Sequence, residues 1–399
     1  MSKAIKWIVA LIVLIVILWI ALWIYAGLQL KHVVENKISM LNSSGQEHIS
    51  YDRIATSGSP FVISVTLINP SLTKAAQNGA PPIQISTASI GASLSLFHPL
   101  TIREYLTPRI DVKIGENTGV VTFGDISSVN ILRPSVWWGN TSNPIIQSDA
   151  QISNMQILGS NGSLSLVTIG NIQSHEIIGP STTTAAQMAG FVKLSMDDLQ
   201  VAPAFTQMLH LPFGGEVKHL DMSFTLFGPL DTAAIDKALN QAPSDQHLKI
   251  AVQAIKSWAA AGGHILATLN LDVGPSTLTA NMATAFDKQS QPNGTVNVTA
   301  NHLDQFTAAL EAAYPNLQDK LTQMQSNLAP YLSTTTQGGQ VLNMHTVFGQ
   351  TGVVINGKQT STTPVTINWD TLENMRQPMP VLAPGDESGA AMSGSAPQP

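Results

Sequence analysis

Hydrophobic and polar positions follow three rhythms along this chain. The first is unbroken: Trp7 to Leu30 is 24 residues (30 − 7 + 1) without a charged side chain. As a helix rising 1.5 Å per residue, that run spans roughly 36 Å, enough to cross a ~30 Å hydrocarbon core with some tilt. Lys3 and Lys6 precede it, Lys31 and Lys37 follow it, and Trp7, Trp19, Trp23 and Tyr25 lie within it. Amphipathic rings near the ends of a span favour the headgroup level, which makes these four the expected membrane-anchor residues. A cleaved signal peptide has an apolar core of about 7–15 residues and ends in a small-x-small site. Here the core is longer, and Tyr25-Ala26-Gly27 is a poor match to such a site. A buried core helix is the other alternative, and the length of the charge-free run stands against it. The expectation is an uncleaved signal anchor over residues 7–30, with a cytoplasmic N-terminus at 1–6. The positive charge before the run outweighs Lys31 and Lys37, which Glu35 partly offsets, so everything after it is expected to be exported.

The second rhythm is alternation. Lys31 to Leu41 continue the helical pattern as a juxtamembrane stalk (31–45) that Ser43, Ser44 and Gly45 end. Phe61, Ile63, Val65 and Leu67 then alternate with Val62, Ser64 and Thr66, the signature of a half-buried strand, closed by Asn69-Pro70. Ile83 to Leu96, Ile110 to Ile114, Val120 to Phe123 and Leu164 to Ile169 repeat the pattern between Gly, Pro and Asn breaks. Residues 46–200 read as a β-rich first half.

The third rhythm occupies residues 201–375, where a helical or apolar stretch leads into Gly-Gly and then a strand. Ala202 to Leu209 precede Gly214-Gly215, and Leu220, Met222, Phe224 and Leu226 then share a face. Leu248 to Ala261 precede Gly262-Gly263, and Ile265, Ala267, Leu269, Leu271 and Val273 follow. A longer helical region up to Leu332 precedes Gly338-Gly339 and a weaker strand from Val341. Glycine suits such helix exits because it adopts positive φ without a Cβ clash. That alone accounts for each pair, and an internal duplication is the alternative. Leu248, Ala251, Ile255, Trp258 and Ala259 form one helical stripe, with Ser244 as its N-cap, and Leu317, Leu321, Met324, Leu328 and Leu332 form another beginning near Pro315. Both stripes are expected to pack on a sheet. The fold class is therefore α+β: one N-terminal transmembrane helix, then a β-rich, mostly antiparallel body with several amphipathic helices in its second half. From Arg376 the chain is rich in Pro, Gly, Ser and Ala, which predicts a disordered tail over 376–399.

Composition narrows the function classes. Charged residues make up 11% of the chain, against about 25% in ordinary globular proteins. A net charge of −6 without a basic cluster excludes a nucleic-acid footprint and a polybasic grip on anionic lipid. The absence of cysteine excludes disulfides, thiolate catalysis and zinc–thiolate sites. No nucleophile elbow, P-loop, dinucleotide fingerprint or His-Glu-x-x-His pattern is present. Ser71-Leu72-Thr73-Lys74 matches S-x-x-K but follows Pro70 in an expected loop. His210 and His219 flank Gly214-Gly215 with Asp221 nearby, a pattern that fits a polar edge better than a metal site. Asp197-Asp198 reads as a solvated turn. Trp137-Trp138, preceded by Arg133-Pro134, places one ring on each face of a strand and makes these two the candidates for an apolar or lipid contact. No catalytic residue, cofactor or metal is expected. The expected partners are the bilayer and either lipid or another envelope protein.

Trp258, Gly262-Gly263, the following strand, Gly274-Pro275, a second strand ending at Asp287, and Pro292 and Gly294 before Val296 carry a resemblance. Together with Tyr51, Gly58, Pro60 and Phe61 they resemble a family of alphaproteobacterial envelope proteins known only as domain of unknown function 2125. Ser59 stands where that family's early segment has an aromatic residue. The resemblance implies an inner-membrane anchor and a periplasmic body, and it brings no catalytic residues. A looser architectural resemblance is to AsmA-like proteins, which implies a long β-rich body with an apolar groove for lipid.

Overall fold

The computed structural model describes residues 19–373, apart from positions 22, 26, 29, 33, 37, 40, 44–46, 60, 77–79, 135–144, 160–161, 243–245 and 335–338. Its first half consists of five strands that are each interrupted once: β1 (Glu47–Ser50) and β2 (Arg53–Ser57), β3 (Val62–Ile68) and β4 (Ser71–Lys74), β5 (Ile83–Thr87) and β6 (Ser89–Ser95), β7 (His98–Leu106) and β8 (Arg109–Ile114), β9 (Asn117–Thr122) and β10 (Ile126–Leu132). One arm runs β1-β4-β5-β8-β9 and the other β2-β3-β6-β7-β10, all antiparallel. The two arms meet on β11 (Ile145–Gly159), whose first part pairs with β10 and whose last part pairs with β9.

From β11 the sheet continues as a meander. β12 (Leu164–Ile178), β13 (Met188–Val201), β14 (Glu216–Phe227), β15 (His264–Val273), β16 (Ser276–Phe286) and β17 (Pro292–Asn301) each pair with the strand before. β18 (Leu332–Thr334) and β17 both pair with β19 (Gln340–Gly349), followed by β20 (Gly352–Ile355) and β21 (Lys358–Ser361). β13 pairs with β14 from Met188–Phe227 to Gln200–Glu216, with a register shift between Met188 and Gly190.

The interruptions lie on one line because the corners bond to one another. Asp52 donates its backbone N–H to Ile68 O (3.0 Å), Asn69 to Ala88 O (2.9 Å), Thr107 to Ser89 O (3.1 Å), Phe123 to Pro108 O (3.1 Å) and Gly124 to Ser153 O (2.8 Å). Pro70 and Pro108 lack an N–H, so they accept at these corners but cannot donate to the ladder. The line continues into the longer strands, where Asn154 (φ 49°) and Asp198 (φ 55°) take the left-handed conformation that Asn and Asp tolerate best. Neither Asn154 nor Gly170 is paired between the Ser153–Asn171 and Met155–Ile169 pairs. Alternation restarts out of phase there: Gln151, Asn154 and Gln156 are exposed, while Ile152 and Met155, three apart, are both half-buried.

Helices cover parts of one sheet face. A first helix, α1, has its described residues within 19–43. It packs on β3, where Ile63 and Val65 are 1% and 2% exposed, and the Trp23 indole donates to Val62 O at 3.2 Å. α2 (Pro203–Met208) joins β13 to β14, and α3 (Thr232–Gln241) and α4 (His247–Ala260) join β14 to β15. α5 (Leu303–Ala313) and α6 (Gln318–Leu328) join β17 to β18, and α7 (Trp369–Glu373) closes the described chain. Val252, Trp258 and Ala259 of α4 form a core with Trp369 of α7 over Leu226 and Ile265. Trp258 donates to Phe227 O (3.0 Å) and meets Phe286 edge-on at 5.5 Å. A Cβ on Gly263 would lie 2.4 Å from the Trp258 ring, so a glycine is needed for that indole to lie flat on the chain.

The β-rich, mostly antiparallel α+β body and the helices at Ala202–Leu209 and Leu248–Ala261 agree with the sequence pattern. α3 was not anticipated. The stripe from Leu317 to Leu332 is shorter as a helix: Pro315–Leu317 and Ala329–Tyr331 are 3-10 turns, and Leu332 begins β18. The run Ile83–Leu96 is two strands that meet at Ala88, and Ser71–Lys74 is strand rather than loop. Among the described residues no helix is long and apolar enough to cross a membrane. Most of the apolar run, together with Ser244, Gly338 and the tail over 376–399, lies outside the described residues.

Candidate functional site

From β13 to β19 the register is regular, so side chains on one face can be followed from strand to strand. Leu194 pairs with Met222, Met222 with Leu269, Leu269 with Ala280, Ala280 with Val298 and Val298 with Met344. The adjacent row runs Val192, Phe224, Ala267, Met282, Val296 and Thr346. Because residues two apart on a strand share a face, these rows form one apolar strip across six strands. At about 4.8 Å per strand its length is roughly 24 Å.

Helices pack at both ends of these strands, and the strip between them is half-buried on most strands and exposed on β13 and β14. On one side Leu226 and Ile265 lie under Val252 and Trp258 of α4, which are 8% and 4% exposed. On the other side Ala300 and Leu342, at the end of the sheet where α5 contacts β16 and β19, are each 5% exposed. Between them Leu194, Met222, Leu269, Val298 and Met344 are only half-buried, and Val192 and Phe224, directly opposite one another, are each 47% exposed. Between α4 and α5 the strip is made of Leu, Met, Val, Ala and Phe, with Thr346 at its β19 end. The apolar side chains offer dispersion contacts and no proton chemistry, which suits an apolar guest.

The opposite face of the same strands is polar and satisfied across the ladder. Ser223 meets Thr268 at 2.7 Å, His219 meets Asp197 at 2.6 Å, His345 meets Asn297 at 2.6 Å, and Lys193 pairs with Asp221 at 2.9 Å. His175 hydrogen-bonds Asp149, and this bond, with smaller help from Gln147, holds the Asp149 carboxyl below its usual range against the opposing effect of burial. Asp231 is also lowered, because it accepts the Ala234 N–H (3.0 Å) as the N-cap of α3 and the Ser181 hydroxyl (2.9 Å).

The residues singled out from sequence fall into separate places. His219 and Asp221 share a face of β14, but each is held by a different residue of β13, and His210 is exposed in the turn after α2 at φ 49°. Among the described residues no cluster of three His, Asp or Glu could hold a metal ion. The solvated turn expected at Asp197-Asp198 is corrected: both lie within β13, and the left-handed backbone at Asp198 breaks the alternation and mimics a turn signal. Ser71 and Lys74 lie three apart on β4, and Lys74 reaches Glu47 at 3.5 Å. Trp19 and Trp23 face β3 and the turns beside it, and Tyr25 is 60% exposed. Trp7, Trp137 and Trp138 lie outside the described residues. The sequence pattern places a strand ending at Asp287, which is β16, but not β13 or β17, although Val296, Val298 and Ala300 carry the alternation that marks β17.

A family model described as "Uncharacterized protein conserved in bacteria (DUF2125)" matches residues 23–355. No curated protein and no solved structure matches the chain.

Proposed function

From the premise that the chain belongs to the DUF2125 family of bacterial proteins, we propose that it is a non-enzymatic, membrane-tethered protein that holds lipid acyl chains on its apolar strip. The observation that carries this reading is the open pair of rows between α4 and α5, with Val192 and Phe224 47% exposed in a sheet otherwise covered at its ends. An acyl chain reaches about half of a ~30 Å hydrocarbon core, roughly 15 Å, and the ~24 Å strip accommodates that length. The charge-free run from Trp7 to Leu30, with Lys3 and Lys6 before it, supports a tether in the bacterial inner membrane with the body on its periplasmic side. His219 and Asp221, held by Asp197 and Lys193, serve the polar face of the sheet.

The test is lipid retention by the full chain, purified in mild detergent and then exchanged into an amphipathic polymer. Mass spectrometry is expected to find phospholipid or fatty acid that survives delipidating washes, and Met222→Asp is expected to lose it. If no lipid is retained and none can be loaded, the lipid reading fails. Crosslinkers placed at Val192 and Phe224 in cells that capture one envelope protein, and no lipid, would replace it with a docking role.

A further inference from the structure

The described part of α1 presents two apolar stripes. Trp19, Trp23 and Gly27, four apart, face the body: the Trp23 indole bonds Val62 O, and a Cβ at Gly27 would lie 3.8 Å from Ile63. Ile20, Ile24 and Leu28, also four apart, are 46%, 50% and 52% exposed. At the same level two turns of the body carry bare aromatic rings. Phe61 (47% exposed) precedes β3 and Phe97 (65% exposed) precedes β7. Their rings stack at 5.2 Å and both meet Trp19, at 5.9 and 6.4 Å.

We propose that Phe61, Phe97 and the outer stripe Ile20, Ile24 and Leu28 form a membrane-inserting surface, so that this end of the sheet is seated in the bilayer beside the anchor. This inference rests on the tethered reading above. Trp19 is 11 residues before Leu30 (30 − 19), roughly 17 Å along a helix, which is near the middle of the charge-free run. If that run occupies a ~30 Å core, rings in contact with Trp19 enter the same layer. Phe and Leu side chains on such a surface gain the burial that water denies them. The turns are also equipped for it: Leu96 donates to Phe61 O (2.9 Å), Val62 to Ser59 O (3.0 Å) and Phe97 to Ser95 Oγ (3.3 Å), so these backbone donors need no water.

The cysteine-free chain allows single labels. Full-length Phe61→Cys, Phe97→Cys and, as a control on the polar face, Thr279→Cys are labelled with a polarity-sensitive fluorophore. Each is reconstituted into vesicles of phosphatidylethanolamine and phosphatidylglycerol. Labels at 61 and 97 are expected to shift to shorter wavelength and to be quenched by spin-labelled phospholipid. Their quenching by aqueous iodide is expected to be several-fold weaker than at 279. Equal iodide quenching at all three positions overturns the inference. Release of the reconstituted protein by alkaline carbonate removes the tether and this inference with it. Inserted labels on a protein that retains no lipid on its strip leave this inference standing while the acyl-chain reading falls.

Discussion

Phe224→Ser and Leu342→Ala should separate ligand binding from folding, because the two side chains lie on the same sheet face under different cover. Phe224 is 47% exposed and Leu342 5%. An aromatic side chain buries 150–250 Å², so the part of Phe224 left to a guest is roughly 90 Å², worth about 2 kcal/mol at ~25 cal/mol per Å². Phe224→Ser should therefore weaken a bound acyl chain roughly 30-fold at about 1.4 kcal/mol per decade. A fully buried Phe→Ala costs about 3–5 kcal/mol, so the half-buried Phe224 should cost roughly 2 kcal/mol of stability. Leu342→Ala should cost about 3–4 kcal/mol, near the upper part of the range for a buried leucine, and leave affinity unchanged because it lies in a covered row. Fluorescent-lipid titration gives the affinity and urea midpoints give the stability. If affinity falls in proportion to stability in both variants, the strip is ordinary core and the reasoning is wrong.

Trp258→Ala should be among the most destabilising single changes, by about 4–5 kcal/mol, since it empties the α4–α7 core and leaves Phe227 O without its indole donor; urea midpoints measure this. Gly263→Ala should also destabilise, because its Cβ would come within 2.4 Å of that indole, and the loss should be relieved in a Trp258→Leu background. The lowered carboxyl of Asp149 binds protons less readily folded than unfolded. Its contribution is present above the usual Asp pKa of about 3.9 and is lost as pH falls through the lower folded value. Asp149→Asn should flatten that acid limb of the stability curve, by less than about 1 kcal/mol because the pair is partly exposed. A chain that begins at Lys31 lacks Trp19, Trp23 and Gly27 and uncovers Ile63 and Val65. It should self-associate in size-exclusion chromatography where the full chain in detergent does not.

The strands of the second half were legible because their alternation is uninterrupted: Leu220 to Leu226 and Ile265 to Val273 each keep one apolar face over the whole strand. The first half hid its architecture at the corners. At Asn154, Gly170 and Asp198 the period of two slips, so β11 and β13 carry no continuous alternation to read and only Leu164–Ile169 of β12 stands out. α3 is amphipathic but short and low in overall hydrophobicity, and its start is set by the carboxylate of Asp231 on the Ala234 N–H. The candidate strip could be read in part, since alternation shows which residues share a face. It does not show which rows a helix covers. The helix stripe on α4 predicts packing on the sheet, yet nothing in it says that Trp258 lies over Leu226 rather than over Phe224, two residues along the same strand.

That last distinction depends on the glycines. Trp258 reaches its position because Gly263 and Gly228 have no Cβ: a Cβ on Gly228 would lie 2.8 Å from the Gly263 Cα and 3.1 Å from the indole nitrogen. α4 is thereby drawn to the end of β14 and β15, where its Trp bonds the last residue of β14. At the other end Ser276 donates its hydroxyl to His302 O at 3.0 Å, just before α5, and Asp304 accepts the Gln340 N–H at 3.0 Å. These bonds tie α5 to the start of β16 and of β19. The two helices are thus fastened at opposite ends of strands 10 to 12 residues long, about 33–40 Å at 3.3 Å per residue. Between these two fastenings Val192 and Phe224 stay 47% exposed. The open strip follows from where the helices are fastened, and the apolar composition of its floor is what makes that opening costly in water without a guest.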